Sequence, residues 1–139
     1  MLTNCLACCF FKKILHLQLS LKRNFTLAAV DLAQSLGARC IFVITRRGIM
    51  AEMVCSCRPV YSDIYAFTNV SQARRTMMLG RGIRSFRISF SQEPEKTLQN
   101  AFKVLKEREG FQGGEKVVVI SDVLAGAGKI DAIQIRHLP

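Results

Sequence analysis

A strand that is apolar on both faces leaves a chain few ways to fold, and Cys40-Ile-Phe-Val-Ile44 is such a strand. A half-exposed strand alternates apolar and polar residues. A continuous apolar run of this length marks a central strand of a parallel sheet, with helices on both faces. The residues around it agree. Arg46-Arg47-Gly48 reads as a tight turn, and Ile49 to Cys57 as a short helix stopped by Arg58-Pro59. Proline disfavours helix in the residue before it and has no N–H to donate. Asp63 to Phe67 then starts a second strand.

The alternation continues to the C-terminus. Asn69 is placed to cap a helix running through Gln72, Arg74, Arg75 and Met78, which Gly80-Arg81-Gly82 ends. Ile83 to Ser89 alternates and reads as an edge strand. Glu93 to Glu109 is amphipathic, with Leu98, Ala101, Phe102 and Leu105 on its inner face and Gly110 closing it. Lys116 to Ser121 is a second buried strand, Ala125-Gly-Ala-Gly128 a small-residue loop, and Ile130 to Arg136 a last alternating strand. The final two strands are too close for a crossover helix, so they should be antiparallel neighbours. The prediction is an α/β three-layer sandwich: five strands, four parallel and the last antiparallel, with helices on both sheet faces.

Residues 1–24 are a different material, and 25–139 form the predicted domain. No acidic residue precedes Asp31, whereas Lys12, Lys13, Lys22 and Arg23 all do. Leu6 to Phe11 is too short to span a bilayer. Ile14, Leu15, Leu17, Leu19 and Leu21 interleave with His16, Gln18 and Ser20 in a pattern closer to alternation than to a helix. The segment is expected to be a poorly packed appendage. A basic, acid-free stretch fits a mitochondrial presequence, although arginine is nearly absent. The remnant of a truncated or misassigned gene start fits as well. The first helix of the domain is expected from Asn24, with Asn24 or Thr26 as its cap. Leu27, Val30, Ala33 and Leu36 should form its inner face, and Gly37 its end.

The net charge of +10 raises the question of an anionic partner. Nucleic acid is disfavoured: the 20 basic residues form no single run, and 2 Tyr with no Trp leave few stacking platforms. The densest group, Arg74, Arg75, Arg81, Arg84 and Arg87, is divided between a helix, a turn and both parities of a strand, so it reads as a solvated face. Cys5-x-x-Cys8 has zinc-like spacing but lacks a matching second pair, and Cys55-x-Cys57 is a poor one. Reduced thiols in a cytosolic protein are expected, with no metal site. There is no Gly-x-Ser-x-Gly elbow and no phosphate-binding Gly-x-x-x-x-Gly-Lys loop. His16 and His137 lie near the two termini, where neither reads as a general base.

An ordered series of segments resembles the C-terminal domain of pyruvate kinase over roughly residues 27 to 139. It comprises Ala28-Ala-Val-Asp-Leu-Ala33, Ile41-Phe-Val-Ile-Thr-Arg-Arg-Gly48, Arg58-Pro59, Asp63-Ile-Tyr-Ala-Phe-Thr68, Gln72-Ala-Arg74, Arg81-Gly-Ile83 and Lys116-Val-Val-Val-Ile120. The resemblance implies the strand order 3-2-1-4-5. It also implies a regulatory and oligomerising module rather than a catalyst. The complete enzyme transfers a phosphoryl group from phosphoenolpyruvate to ADP, with magnesium and usually potassium, in a barrel domain that a chain of 139 residues cannot also hold. No catalytic residue is assigned, and the chain itself is expected to need no cofactor. The resemblance places a sugar-phosphate or nucleotide effector at the turn Thr45-Arg46-Arg47-Gly48, with Gly126, Gly128 and Lys129 of the later loop closing over it. Arg47, Ile49 and Met50 stand where the family has hydroxyl residues, so Arg46 and Arg47 would hold the phosphate by charge. A free-standing phosphometabolite-binding module of the same fold is the alternative. Other pyruvate kinase subunits or self-association are the implied partners, and a cytoplasmic or organellar location the implied setting.

Overall fold

The computed structural model describes the backbone of residues 5–121, 124–125, 128–129 and 131–139, and the side chains of 16–121 and 131–139. The elements in chain order are α1 (Cys5–Leu36), β1 (Cys40–Ile44), α2 (Ile49–Ser56), β2 (Asp63–Thr68), α3 (Ser71–Met77), β3 (Ile83–Arg87), α4 (Pro94–Glu109), β4 (Lys116–Ser121), β5 (Leu124–Ala125), β6 (Gly128–Lys129) and β7 (Ala132–His137).

The main sheet has the order β3-β2-β1-β4-β7. β1 pairs in parallel with both β2 and β4, β2 in parallel with β3, and β4 antiparallel with β7. This is the predicted five-stranded arrangement. One element was not foreseen. β5 and β6 pair as a short antiparallel ribbon within what reads as a small-residue loop.

Handedness distributes the helices. The steps β1 to β2 and β2 to β3 run the same way across the sheet. Right-handed crossovers therefore put α2 and α3 on one face. The step from β3 back to β4 puts α4 on the other. The two cores follow. On the first face, Ala29, Val30 and Ala33 of α1, Met50, Ala51 and Val54 of α2, and Met77 of α3 pack on Ile41, Val43, Ile64, Ala66, Val118 and Ile120. On the second, Leu98, Ala101, Phe102 and Leu105 of α4 pack on Phe42, Ile44, Tyr65, Phe67, Val117 and Val119.

The α4 core is aromatic. Phe42 and Phe67 stack with centroids 4.4 Å apart, and Phe102 tilts against Phe42 at 5.2 Å. α4 is tied at both ends by arginines of the outer strands. Arg136 of β7 reaches both carboxylate oxygens of Glu95, at 3.3 and 2.9 Å, and Arg84 of β3 pairs with Glu109. Arg136, Glu95 and Arg84 are exposed or half-exposed, so both pairs orient the helix more than they stabilise it.

The N-terminal expectation needs correction. α1 begins at Cys5 and passes through Asn24 and Thr26 unbroken, so neither residue is a cap. Thr26 is buried, and its Oγ1 donates to the Arg23 carbonyl at 2.9 Å, as a hydroxyl does inside a helix. The inner face is Thr26, Ala29, Val30 and Ala33, while Leu27 is exposed. Val70, not Asn69, precedes the first turn of α3. Arg58 ends α2 with φ 49°, a left-handed conformation usually taken by glycine.

Two buried acids make the fold sensitive to alkali. Burial pushes the Cys40 thiol up to about 12. Burial, and then the Glu109 carboxylate that accepts a hydrogen bond from the Tyr65 hydroxyl at 3.4 Å, push Tyr65 to about 12. Their ordinary values are 9.0 and 10.0. Both raised values mean that the folded state holds its proton more tightly than the unfolded chain. Their contribution is therefore complete below pH 9 and is lost as pH rises to about 12. Urea unfolding midpoints should show no such loss between pH 7 and 8 and a steep decline above pH 9. Tyr65→Phe should remove up to about one proton from the slope between pH 10 and 12. An unchanged slope in that variant would refute the assignment to Tyr65.

Candidate functional site

The C-terminal ends of parallel strands are where an open α/β sheet exposes its loops, and β1, at the centre, ends at Ile44. Thr45 is fully buried, and its N–H donates to the Phe67 carbonyl at 2.9 Å, extending the ladder by one residue. Its Oγ1 accepts the N–H of Gly48 at 3.2 Å, which folds the turn back on itself. From the neighbouring strand, the Thr68 hydroxyl donates to the Arg46 carbonyl at 3.2 Å and accepts the N–H of Val70 at the same distance. Two threonines at adjacent strand ends thus hold both crossovers.

Gly48 closes the turn with φ 85° and stands at the N-cap of α2, where no side chain caps the helix. A Cβ built on it would lie 2.8 Å from Met77 Cγ of α3. The sequence asks for glycine here twice, for the left-handed backbone and for the close approach. Arg46 and Arg47 are exposed, and neither enters an ion pair among the described residues. They border a cleft of about 420 Å³ whose other wall is Val70, Gln72, Ala73 and Thr76. The result is an open, positively charged recess at a helix N-terminus, which can accept an anion through guanidinium and backbone N–H groups. Glu52, in the first turn of α2, opposes this charge.

Thr45, Arg46, Arg47 and Gly48 form one turn between β1 and α2. Gly126 lies outside the described residues. Gly128 and Lys129 form β6, paired with Ala125 and Leu124. Ile44 is in register with Ser121 on β4, so β1 and β4 end level with each other beside this turn. Sequence reasoning missed the α3 wall. Its signal was the shared direction of two successive crossovers, which sets α2 and α3 side by side.

A second recess, of about 600 Å³, lies at the opposite ends of the strands. Arg58, Pro59, Val60, Tyr61, Asp63, Arg81 and Gly82 are among its lining residues. The five-arginine group is dispersed. Arg84 pairs with Glu109, the Arg74 Nε donates to the Ser85 carbonyl at 3.4 Å, and Arg81 lines the second recess. Among the described residues no three His, Cys, Asp or Glu side chains are grouped to hold a metal ion, and no helix is long and apolar enough to cross a membrane. The side chains of Cys5, Cys8 and Cys9 lie outside the described residues.

Comparison with known proteins gives this architecture its kin. The family described as pyruvate kinase, alpha/beta domain, matches residues 24–136. Pyruvate kinase isozyme A, chloroplastic, of Ricinus communis is 33% identical over 120 residues, which cover 86% of this chain and 19% of that protein. The protein of the same name from Nicotiana tabacum is 32% identical over the same shares. This chain thus spans about a fifth of the length of these relatives. In fold it is similar to Cryptosporidium parvum pyruvate kinase in complex with ADP, with a TM-score of 0.76 at 23% identity, over 85% of this chain and 24% of that one. On the family match over residues 24–136, the chain belongs to the pyruvate kinase alpha/beta-domain family.

Proposed function

We propose that this chain is the regulatory and oligomerising C-terminal module of a pyruvate kinase, and that its β1–α2 turn takes the phosphate of a sugar-phosphate or nucleotide effector. The observation that carries the effector reading is the pair Arg46 and Arg47, exposed and without ion pairs among the described residues, on a turn that opens a helix. Guanidinium forks match phosphate geometry and compensate for the hydroxyl residues that Arg47, Ile49 and Met50 replace. Phosphoryl transfer, with its magnesium and potassium, belongs in this reading to the portion of the relatives that this chain does not span. Self-association through a sheet edge or helix face, or association with other pyruvate kinase subunits, completes the role. The two plant relatives are named chloroplastic, which favours an organellar over a cytoplasmic setting.

Calorimetry of the whole chain against sugar phosphates and nucleotides tests the effector reading. Binding should weaken with salt. Arg46→Ala with Arg47→Ala should lower affinity roughly 10- to 100-fold, the usual worth of charge-assisted hydrogen bonds. No heat with any member of the panel would remove the effector role. In a coupled assay the pure chain should not turn over phosphoenolpyruvate and ADP. Magnesium-dependent turnover would overturn the non-catalytic reading.

A further inference from the structure

Among the described residues, Arg58 alone holds a positive φ, 49°, without being glycine. The left-handed region crowds any Cβ, and the proline that follows pushes its neighbour toward extended backbone instead. Glycine would end α2 here without that conflict. What arginine adds is a side chain, and it lines the recess of about 600 Å³ at the N-terminal ends of β2 and β3.

Arg81 lines the same recess from the turn before β3. Its carbonyl accepts a hydrogen bond from the Cys55 thiol at 3.1 Å, which ties this turn to the last turn of α2. Both arginines are exposed, and neither enters an ion pair among the described residues. The one acid in the lining, Asp63, is in register with Cys40, whose side chain lies in the second core. Its carboxylate therefore leaves the sheet toward the α4 face, where it acts on the Cys40 thiol and the Tyr65 hydroxyl. The recess lies against α2, on the other face. Two guanidinium groups thus line a concave site with no carboxylate set against them.

The rest of the lining is partly apolar. Val60 and Tyr61 are 71% and 83% exposed, and the Tyr61 ring makes no ring or cation contact among the described residues. The volume falls within the range of about 300–1,000 Å³ usual for small-molecule sites. Guanidinium groups only donate, so they match a phosphate, which only accepts. An unused aromatic face matches a flat ring. The cleft at the β1–α2 turn has no such ring, since its other wall is Val70, Gln72, Ala73 and Thr76.

We propose that this recess is a second anion site, which takes a nucleoside monophosphate with its phosphate on Arg58 and Arg81 and its base on Tyr61. It lies at the opposite ends of the strands from the β1–α2 turn, so the inference does not rest on the effector reading of that turn.

The test is calorimetry of the full chain with AMP and with ribose 5-phosphate, beside urea denaturation of each variant. AMP should bind, and Arg46→Ala with Arg47→Ala should leave that binding unchanged, which separates this site from the turn. Arg58→Gly should lower AMP affinity roughly 10- to 100-fold. Its urea midpoint should stay the same or rise, because glycine fits the left-handed backbone. An arginine with only a structural role would give the reverse, a lower midpoint with unchanged binding. Arg81→Ala should weaken AMP to a similar degree. Tyr61→Ala should lower AMP affinity roughly 5- to 100-fold and leave ribose 5-phosphate unaffected. The proposal is overturned by no binding of AMP, by binding that Arg46→Ala with Arg47→Ala removes, by Arg58→Gly binding as the parent chain does, or by ribose 5-phosphate binding as tightly as AMP.

Discussion

Phe42→Ala is expected to cost about 3–5 kcal/mol, a large share of the roughly 5–15 kcal/mol that stabilises a domain of this size. Phe42 is fully buried on the central strand, between α4 and the sheet. Its removal leaves a cavity at the centre of the second core, because Phe67 on one side and Phe102 on the other are held by their own strand and helix. The stacked and tilted ring contacts add about 0.5–1.5 kcal/mol beyond the area lost. Phe42→Leu keeps most of the volume and should cost much less, about 1.5 kcal/mol. Ile135→Ala, at a half-exposed position on the outer strand β7, should change stability by less than about 0.5 kcal/mol. Urea denaturation of the three variants would check the order. A loss below about 1.5 kcal/mol for Phe42→Ala would mean that the α4 face contributes little to holding the sheet.

How much of this was legible before the structure depends on how far each signal reaches along the chain. Cys40–Ile44 and Lys116–Ser121 are apolar on both faces, which only central strands require, and they sit at the centre of the sheet. The turn residues Thr45, Arg46, Arg47 and Gly48 are contiguous, so their juxtaposition was fixed by local sequence. The wall supplied by Val70, Gln72, Ala73 and Thr76 was not, because it depends on two crossovers taking the same hand. The start of α1 misled for a different reason. Leu17, Leu19 and Leu21 are spaced two apart, which imitates a strand, while Ile14, Leu17 and Leu21 also satisfy the helical period. The helix wins because residues 26–36 already form its packed end, so no new nucleus is needed. Leucine, lysine and glutamine then extend it at little cost. The β5–β6 ribbon stayed hidden because Ala125-Gly-Ala-Gly128 has the composition of a loop and neither strand exceeds two residues.

Gly48→Ala should damage stability and the proposed effector site together, at a cost of about 2–5 kcal/mol in folding. The left-handed φ of 85° accounts for roughly 1–2 kcal/mol with any Cβ present. The rest comes from crowding. The new methyl would sit 2.8 Å from Met77 Cγ and 3.2 Å from its Sδ, and overpacking a buried site costs about 1–3 kcal/mol. Met77 is fully buried against the first core, so it gives way only by displacing its neighbours. The alternative is for the turn to shift, which breaks the bond from the Gly48 N–H to Thr45 Oγ1 and moves Arg46 and Arg47 with it. Affinity for a phosphate ligand should therefore fall even under conditions where the variant is folded. Gly48→Val should be worse, since a β-branched residue is a stronger outlier at this φ. The two causes separate in a double-mutant cycle with Met77→Ala. Removing the Met77 side chain relieves the crowding and not the backbone strain, so the pair should cost about 1–2 kcal/mol less than the sum of the single changes. Strict additivity would show that the contact between α2 and α3 at Gly48 does not set the position of the turn, and the requirement for glycine would then rest on backbone conformation alone.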